Sequence, residues 1–302
     1  SALDRFALGP GLRRLYYGVF PTALSPSFVL GTGVVLAMLG SLVTTFAGLL
    51  ADPLQVVTGT DIKPLLRLLG MLPKDRLTGD AMIESASIDG MTIDAGPLGS
   101  GAIGSATANG LHVLSDTPAF DVAALGDKAV LGTLPQDETG LAAIGREALN
   151  ALEALSLDSF RLDALALSSE AANGAVGTIA VKDASYRGLG EFSIADVSLT
   201  TAENSGVFDL AGFTMQDLRL ARLASYLDFG LAAARNEPSL ADILSIVPTL
   251  GLIEIEGLKV ASNDLPAPVS LDRYRLAMSD FIQPIPTAIE GVTENAVFPV
   301  SL

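Results

Sequence analysis

Cysteine is absent from the 302 residues, and histidine occurs once, at His112. The first absence excludes disulfide scaffolds, thiol chemistry and iron–sulfur clusters; with a single histidine added, it also excludes zinc fingers. A histidine-based nucleophilic relay is left with His112 as its one candidate. No G-x-S-x-G, H-E-x-x-H or P-loop sequence occurs. Basic residues are scarce, 18 against 34 acidic, and the formal net charge is -16. Nucleic-acid binding depends on clustered Lys and Arg that release counterions, and no such cluster exists here.

What is present is apolar. Hydrophobic residues make up 49% of the chain and charged residues 17%, with a mean hydropathy of +0.47. The longest uncharged stretch runs from Leu15 to Ala51. Its most apolar part, 28–51, would span about 36 Å as a helix, enough for the ~30 Å hydrocarbon core of a bilayer. Ser25-Pro26 reads as an N-cap followed by proline in the first turn, and Asp52-Pro53 ends the run. The expected organisation is an N-terminal cytoplasmic or interfacial segment (1–25), a transmembrane helix (26–51), a juxtamembrane connector (52–80) and a β-rich ectodomain (81–302).

Arg13, Arg14, Tyr16 and Tyr17 form an expected interfacial anchor. Arg5, Arg13 and Arg14 before the helix favour a cytoplasmic N-terminus, with the ectodomain in the periplasm of a bacterium. Setting aside those three and Asp4 from 18 basic and 34 acidic residues leaves 15 and 33. Such an anionic ectodomain is repelled by anionic headgroups. Gly33, Ala37, Ser41, Thr44 and Gly48 align small residues along one helix face, which lets another membrane helix approach closely.

Beyond the connector an eight-residue pattern recurs: apolar, any, apolar, any, small or acidic, apolar, any, apolar. It appears at Phe160–Leu167, Ile179–Tyr186, Phe192–Leu199, Phe208–Met215 and Ile253–Val260, with a weaker copy at Ala86–Ile93 and a partial one at Leu276–Phe281. Strict alternation within each half predicts β-strands. The step of three between halves predicts an inserted bulge residue at the small or acidic position, because otherwise the second apolar pair would change face. Strands bent in this way predict a strongly curved, bulged antiparallel sheet: a half-pipe, a barrel or a sandwich. The expected class is therefore mainly β with helical insertions. The insertions fall near 138–156, with Leu141, Ile144, Ala148, Leu152 and Leu155 on one face, and near 217–247, split at Asn236-Glu237-Pro238. Pro266, Pro268, Pro284, Pro286 and Pro299 mark loops and a sheet edge.

The remaining motifs favour structural roles. Gly99, Gly101 and Gly104 match G-x-G-x-x-G, but Asn109-Gly110 breaks the chain where a dinucleotide-binding helix would be needed, so a glycine-rich loop is expected. His112 lies beside no nucleophile motif. Glu254 and Glu256 alternate with Ile253 and Ile255, which reads as the solvated face of a strand. Asp183 and Asp196 occupy the bulge position without a D-x-[DN]-x-[DN]-G loop. No catalytic residue, metal or cofactor is expected.

One membrane helix followed by many short amphipathic strands resembles, over residues 28–260, the architecture of bacterial AsmA-like envelope proteins. The resemblance implies a lipid-carrying curved sheet. Phe160, Phe192, Ile194, Phe208, Phe213 and Ile255 would then line an apolar groove. The residues themselves suggest first a non-catalytic interaction or scaffold subunit of a membrane or envelope complex at the bacterial inner membrane. Its partners would be other transmembrane helices or envelope proteins. Lipid or hydrophobic-ligand transfer is the alternative.

Overall fold

In the computed structural model, the described residues are 56–70, 72, 81–94, 96, 99–114, 120–202, 205–235, 238–282 and 284–298. Alternating apolar and polar residues form one antiparallel sheet whose strands follow chain order, β1 to β10. A three-residue edge strand, β1 (Val56–Thr58), precedes nine long ones. These are β2 (Ala81–Asp94), β3 (Ser100–Val113), β4 (Leu155–Ser168), β5 (Ala172–Ser185), β6 (Gly188–Thr201), β7 (Val207–Arg219), β8 (Leu252–Ala261), β9 (Val269–Ile282) and β10 (Ile285–Glu294).

The helices all lie at one end of the sheet. α1 (Lys63–Leu68) precedes β2, α2 (Val122–Val130) and α3 (Glu138–Leu152) connect β3 to β4, and α4 (Leu223–Ala234) and α5 (Leu240–Ser245) connect β7 to β8. Short polar side chains start three of them. Asp121 accepts from the Ala124 amide at 2.8 Å and Asp137 from the Gly140 amide at 2.7 Å, while Ser239 and Asp242 form a reciprocal capping box. The core at this end is built from Leu68, Met82, Val113, Ala151 and Ala154.

Several expectations are corrected. The sheet is open and not strongly curled; no ladder joins β1 to β10, so it is neither half-pipe, barrel nor sandwich. The reason lies in the register. Positive φ falls at the anticipated positions Gly90, Ala164, Asp183, Asp196, Gly257 and Asp280, although not at Gly212. Yet no residue is inserted there: Asp163 pairs with Thr178 and Leu165 with Val176, so the ladder passes one-for-one through Ala164. A bulge curls a sheet because one strand gains length over its neighbour. Here neighbours stay in phase and no such difference accumulates.

Gly101 and Gly104 lie within β3, not in a loop, and Gly101 pairs with Ile93 and Leu167. The proline-rich 263–299 region contains β9 and β10, with Pro286 on the edge strand, where its missing N–H spoils no inner ladder. On α3 the buried residues are Ala142 and Ala151, whereas Leu141 and Leu152 are exposed, so the helix packs through its small residues. The transmembrane helix expected over 26–51 lies outside the described residues. Among the described residues no helix is long and apolar enough to cross a membrane.

Candidate functional site

The pleat repeats every five residues, and this builds the site. Along β4 the apolar residues are Leu155, Leu157, Phe160, Leu162, Leu165 and Leu167. Leu157, Phe160 and Leu162 belong to one cluster with Ala108, Leu111, Val181, Ala184 and Leu189. The face is therefore kept across each step of three: Ala108 to Leu111 spans Gly110 (φ 64°) and Val181 to Ala184 spans Asp183 (φ 51°).

The left-handed residues are themselves aligned. Gly90, Ala164, Asp196 and Gly257 lie at one level on β2, β4, β6 and β8, and Gly110, Asp183 and Asp217 at a second level on β3, β5 and β7. Glycine commonly answers them on the neighbouring strand. A Cβ on Gly177 would lie 2.8 Å from the Asp196 Cβ, one on Gly190 2.9 Å from Asp183 Oδ2, and one on Gly104 2.9 Å from the Ala164 Cβ. The strand that turns needs space, and the next strand provides it.

Held in this register, the apolar residues form rows across the sheet. Leu162, Ile179, Ile194, Phe213, Ile255 and Tyr274 are successive cross-strand partners, as are Phe160, Val181, Phe192, Met215, Ile253 and Leu276. Phe192 and Phe213 meet edge to face, ring centroids 6.0 Å apart. Toward the turn end, Leu167, Gly174, Leu199, Phe208 and Val260 make a further row. Phe160 and Phe192 are buried, Ile194, Phe208, Phe213 and Ile255 are half-buried, and Leu167 is 56% exposed. The six candidate lining residues thus divide between the two central rows and the row at the turn end. None of these rows carries a charge.

The other face holds the charges. Between the two central apolar rows runs Arg161, Ala180, Ser193, Thr214, Glu254 and Arg275. Arg161 Nε donates to Asp163 at 2.7 Å and Thr178 Oγ1 donates to it at 2.8 Å, which together hold the Asp163 carboxyl below its ordinary range. Lys182 pairs with Glu191 at 2.9 Å, and Arg273 Nε donates to Glu254 at 2.7 Å. Glu254 is thus engaged in an ion pair while Glu256 lies exposed, and the two acids do not flank a shared site.

His112 sits at the end of β3, its Nε2 2.8 Å from Asp158 Oδ2. Its Nδ1 is buried without a hydrogen-bond partner, so no nucleophile is linked to the ring on that side. Among the described residues no cluster of three or more His, Cys, Asp or Glu could hold a metal.

Glu153 carries no distinguishing signal in the sequence. Its side chain is 1% exposed at the C-terminus of α3, where it accepts from the Leu223 amide, the first residue of α4, and from Arg187 Nε at 3.2 Å; Arg222 Nε lies 3.5 Å away. A carboxylate at a helix N-terminus is favourable, and it ties α3, α4 and the β5–β6 turn together. Gly33, Ala37, Ser41, Thr44, Gly48, Arg13, Arg14, Tyr16 and Tyr17 lie outside the described residues.

Residues 1–87 match the model of a family described as a family of unknown function (DUF6635). That span contains the long uncharged stretch, β1 and the first half of β2. No curated protein and no solved structure matches the chain.

Proposed function

We propose that the chain is a non-catalytic interaction subunit, held at the bacterial inner membrane by its N-terminal apolar segment, whose periplasmic sheet presents its uncharged face to another protein layer. The observation that carries this reading is the segregation of the two faces. Charge-free rows cross strands β4 to β9 on one side, partly open to solvent, and ion pairs occupy the other side. A continuous apolar surface of this extent is where a soluble face meets a partner.

The openness of the sheet favours protein over lipid. Ligand sites are concave and enclose most of the ligand surface. An acyl chain on an open, weakly curled face would keep its outer side in water, whereas a second protein layer covers such a face completely at about 10 Å spacing. Native mass spectrometry of the full chain, released from membranes in mild detergent, tests this. The expected result is an assembly heavier than the 31.1 kDa protomer without stoichiometric lipid. A lone protomer carrying stoichiometric lipid overturns it in favour of lipid transfer.

A further inference from the structure

We infer that the layer covering the apolar face is a second copy of this chain, related by a two-fold axis lying between the sheets and parallel to the strands. The inference rests on the reading of the chain as an interaction subunit and names its partner.

Charge is the first argument. A chain of net charge -16 repels its own copies. Among the described residues, the apolar rows are a broad surface of the sheet on which two copies can meet without opposing like charges, since Arg161, Asp163, Lys182, Glu191, Glu254 and Arg273 lie on the other face.

Shape is the second. The axis maps a strand at one distance from the sheet centre onto the strand at the same distance on the far side, so across β2–β9 it sets β3 over β8, β4 over β7 and β5 over β6. Residues keep their level along the strand. At the turn end this places Gly101 over Val260, Leu167 over Phe208 and Gly174 over Leu199. Glycine then meets a large side chain in two of three pairings, the small-against-large fit that lets facing sheets interdigitate. The operation also leaves both helical ends pointing the same way, as two chains anchored in one membrane require.

Size is the third. Eight strands at about 4.8 Å spacing by ten residues at about 3.3 Å give a footprint of about 1,270 Å² per copy. A standard stable interface takes about 800 Å² per partner.

The chain has no cysteine, so introduced thiols report unambiguously. The full chain in its membrane is treated with a thiol crosslinker of about 8 Å reach, chosen against the ~10 Å spacing of stacked sheets. Ile194→Cys, beside the axis, is expected to link to itself. Leu167→Cys in one copy is expected to link to Phe208→Cys in the other, and neither to its own kind. Ser193→Cys, on the charged face, is expected to stay unlinked.

Leu167→Glu, at a position exposed enough for a single copy to tolerate charge, is expected to weaken self-association at least tenfold with an unchanged far-ultraviolet circular dichroism spectrum. Failure of Ile194→Cys to link, or equal linking by Ser193→Cys, overturns the inference. Recovery of a heavier assembly containing one copy of this chain and a different protein overturns it while leaving the interaction-subunit reading standing. A lone lipid-bound protomer overturns both.

Discussion

The plane of the sheet and its helical end solve the same problem by different means. In the plane, order comes from repetition. Apolar residues recur along the long strands, seven left-handed residues fall at two levels, and glycine on the next strand commonly makes room for them. At the helical end nothing repeats. Alanines let helices and strands approach closely, and one buried carboxylate, Glu153, joins three elements that share no hydrogen-bond ladder. The contrast teaches where each region is vulnerable: the end at single irreplaceable contacts, the plane at pairs of residues that must change together.

The largest expected effect breaks the end. Glu153→Ala leaves the α4 N-terminus and two arginines without their shared acceptor, and should cost about 3 kcal/mol in urea unfolding of the full chain. A loss under about 1 kcal/mol would mean that the end is not organised around this carboxylate.

Next comes a pair in the plane. Gly177→Ala drives a methyl group into the Asp196 side chain and should cost about 2 kcal/mol. Asp196→Gly in the same chain removes the obstacle and suits the φ of 54°, so the double variant should regain at least about 1 kcal/mol. Additive losses would show that the two positions are not a unit.

A smaller effect is confined to α5. Ser239→Ala removes the capping box and should cost about 1 kcal/mol, seen as faster amide hydrogen exchange in Leu240–Ser245 with the sheet unchanged.

The smallest effect depends on pH. The Asp163 carboxyl is held below the ordinary aspartate value of 3.8 by Arg161 and Thr178, so its contribution to stability is complete above that value and is lost as pH falls through the lower folded-state value. Asp163→Asn should flatten the acid limb of the stability curve and lower neutral stability by the same small amount, small because the pair is partly exposed and screened by water. An unaltered acid limb would remove the ion pair from any role in the charged face.

Much of the plane was legible in the sequence because alternation is a local property. Phe160 and Leu162, or Phe192 and Ile194, announce a strand without reference to any neighbour. The small or acidic residue at Ala164, Asp183 and Asp196 marked where the backbone departs from ordinary strand geometry. Its consequence is a reversed pleat and not the inserted length that curls a sheet. Whether such a residue adds length or only reverses the pleat depends on the strand beside it, and here that strand answers with Gly104, Gly190 or Gly177. The glycines of β3 looked like a loop for the same reason, since their use is visible only beside Ala164 and Leu167. Glu153 stood in a helical stretch as one acid among many.

The sequence by itself determined the strand periodicity, most of the left-handed positions (Gly90, Ala164, Asp183, Asp196, Gly257 and Asp280, although not Gly110 or Asp217) and the separation of charged from apolar positions, because each is fixed by residues close in the chain. Tertiary structure decided the curvature of the sheet, the assembly of isolated apolar residues into continuous rows and the burial of Glu153. Those depend on which residues of distant segments stand opposite one another, and register is a property of pairs of strands, not of either strand alone.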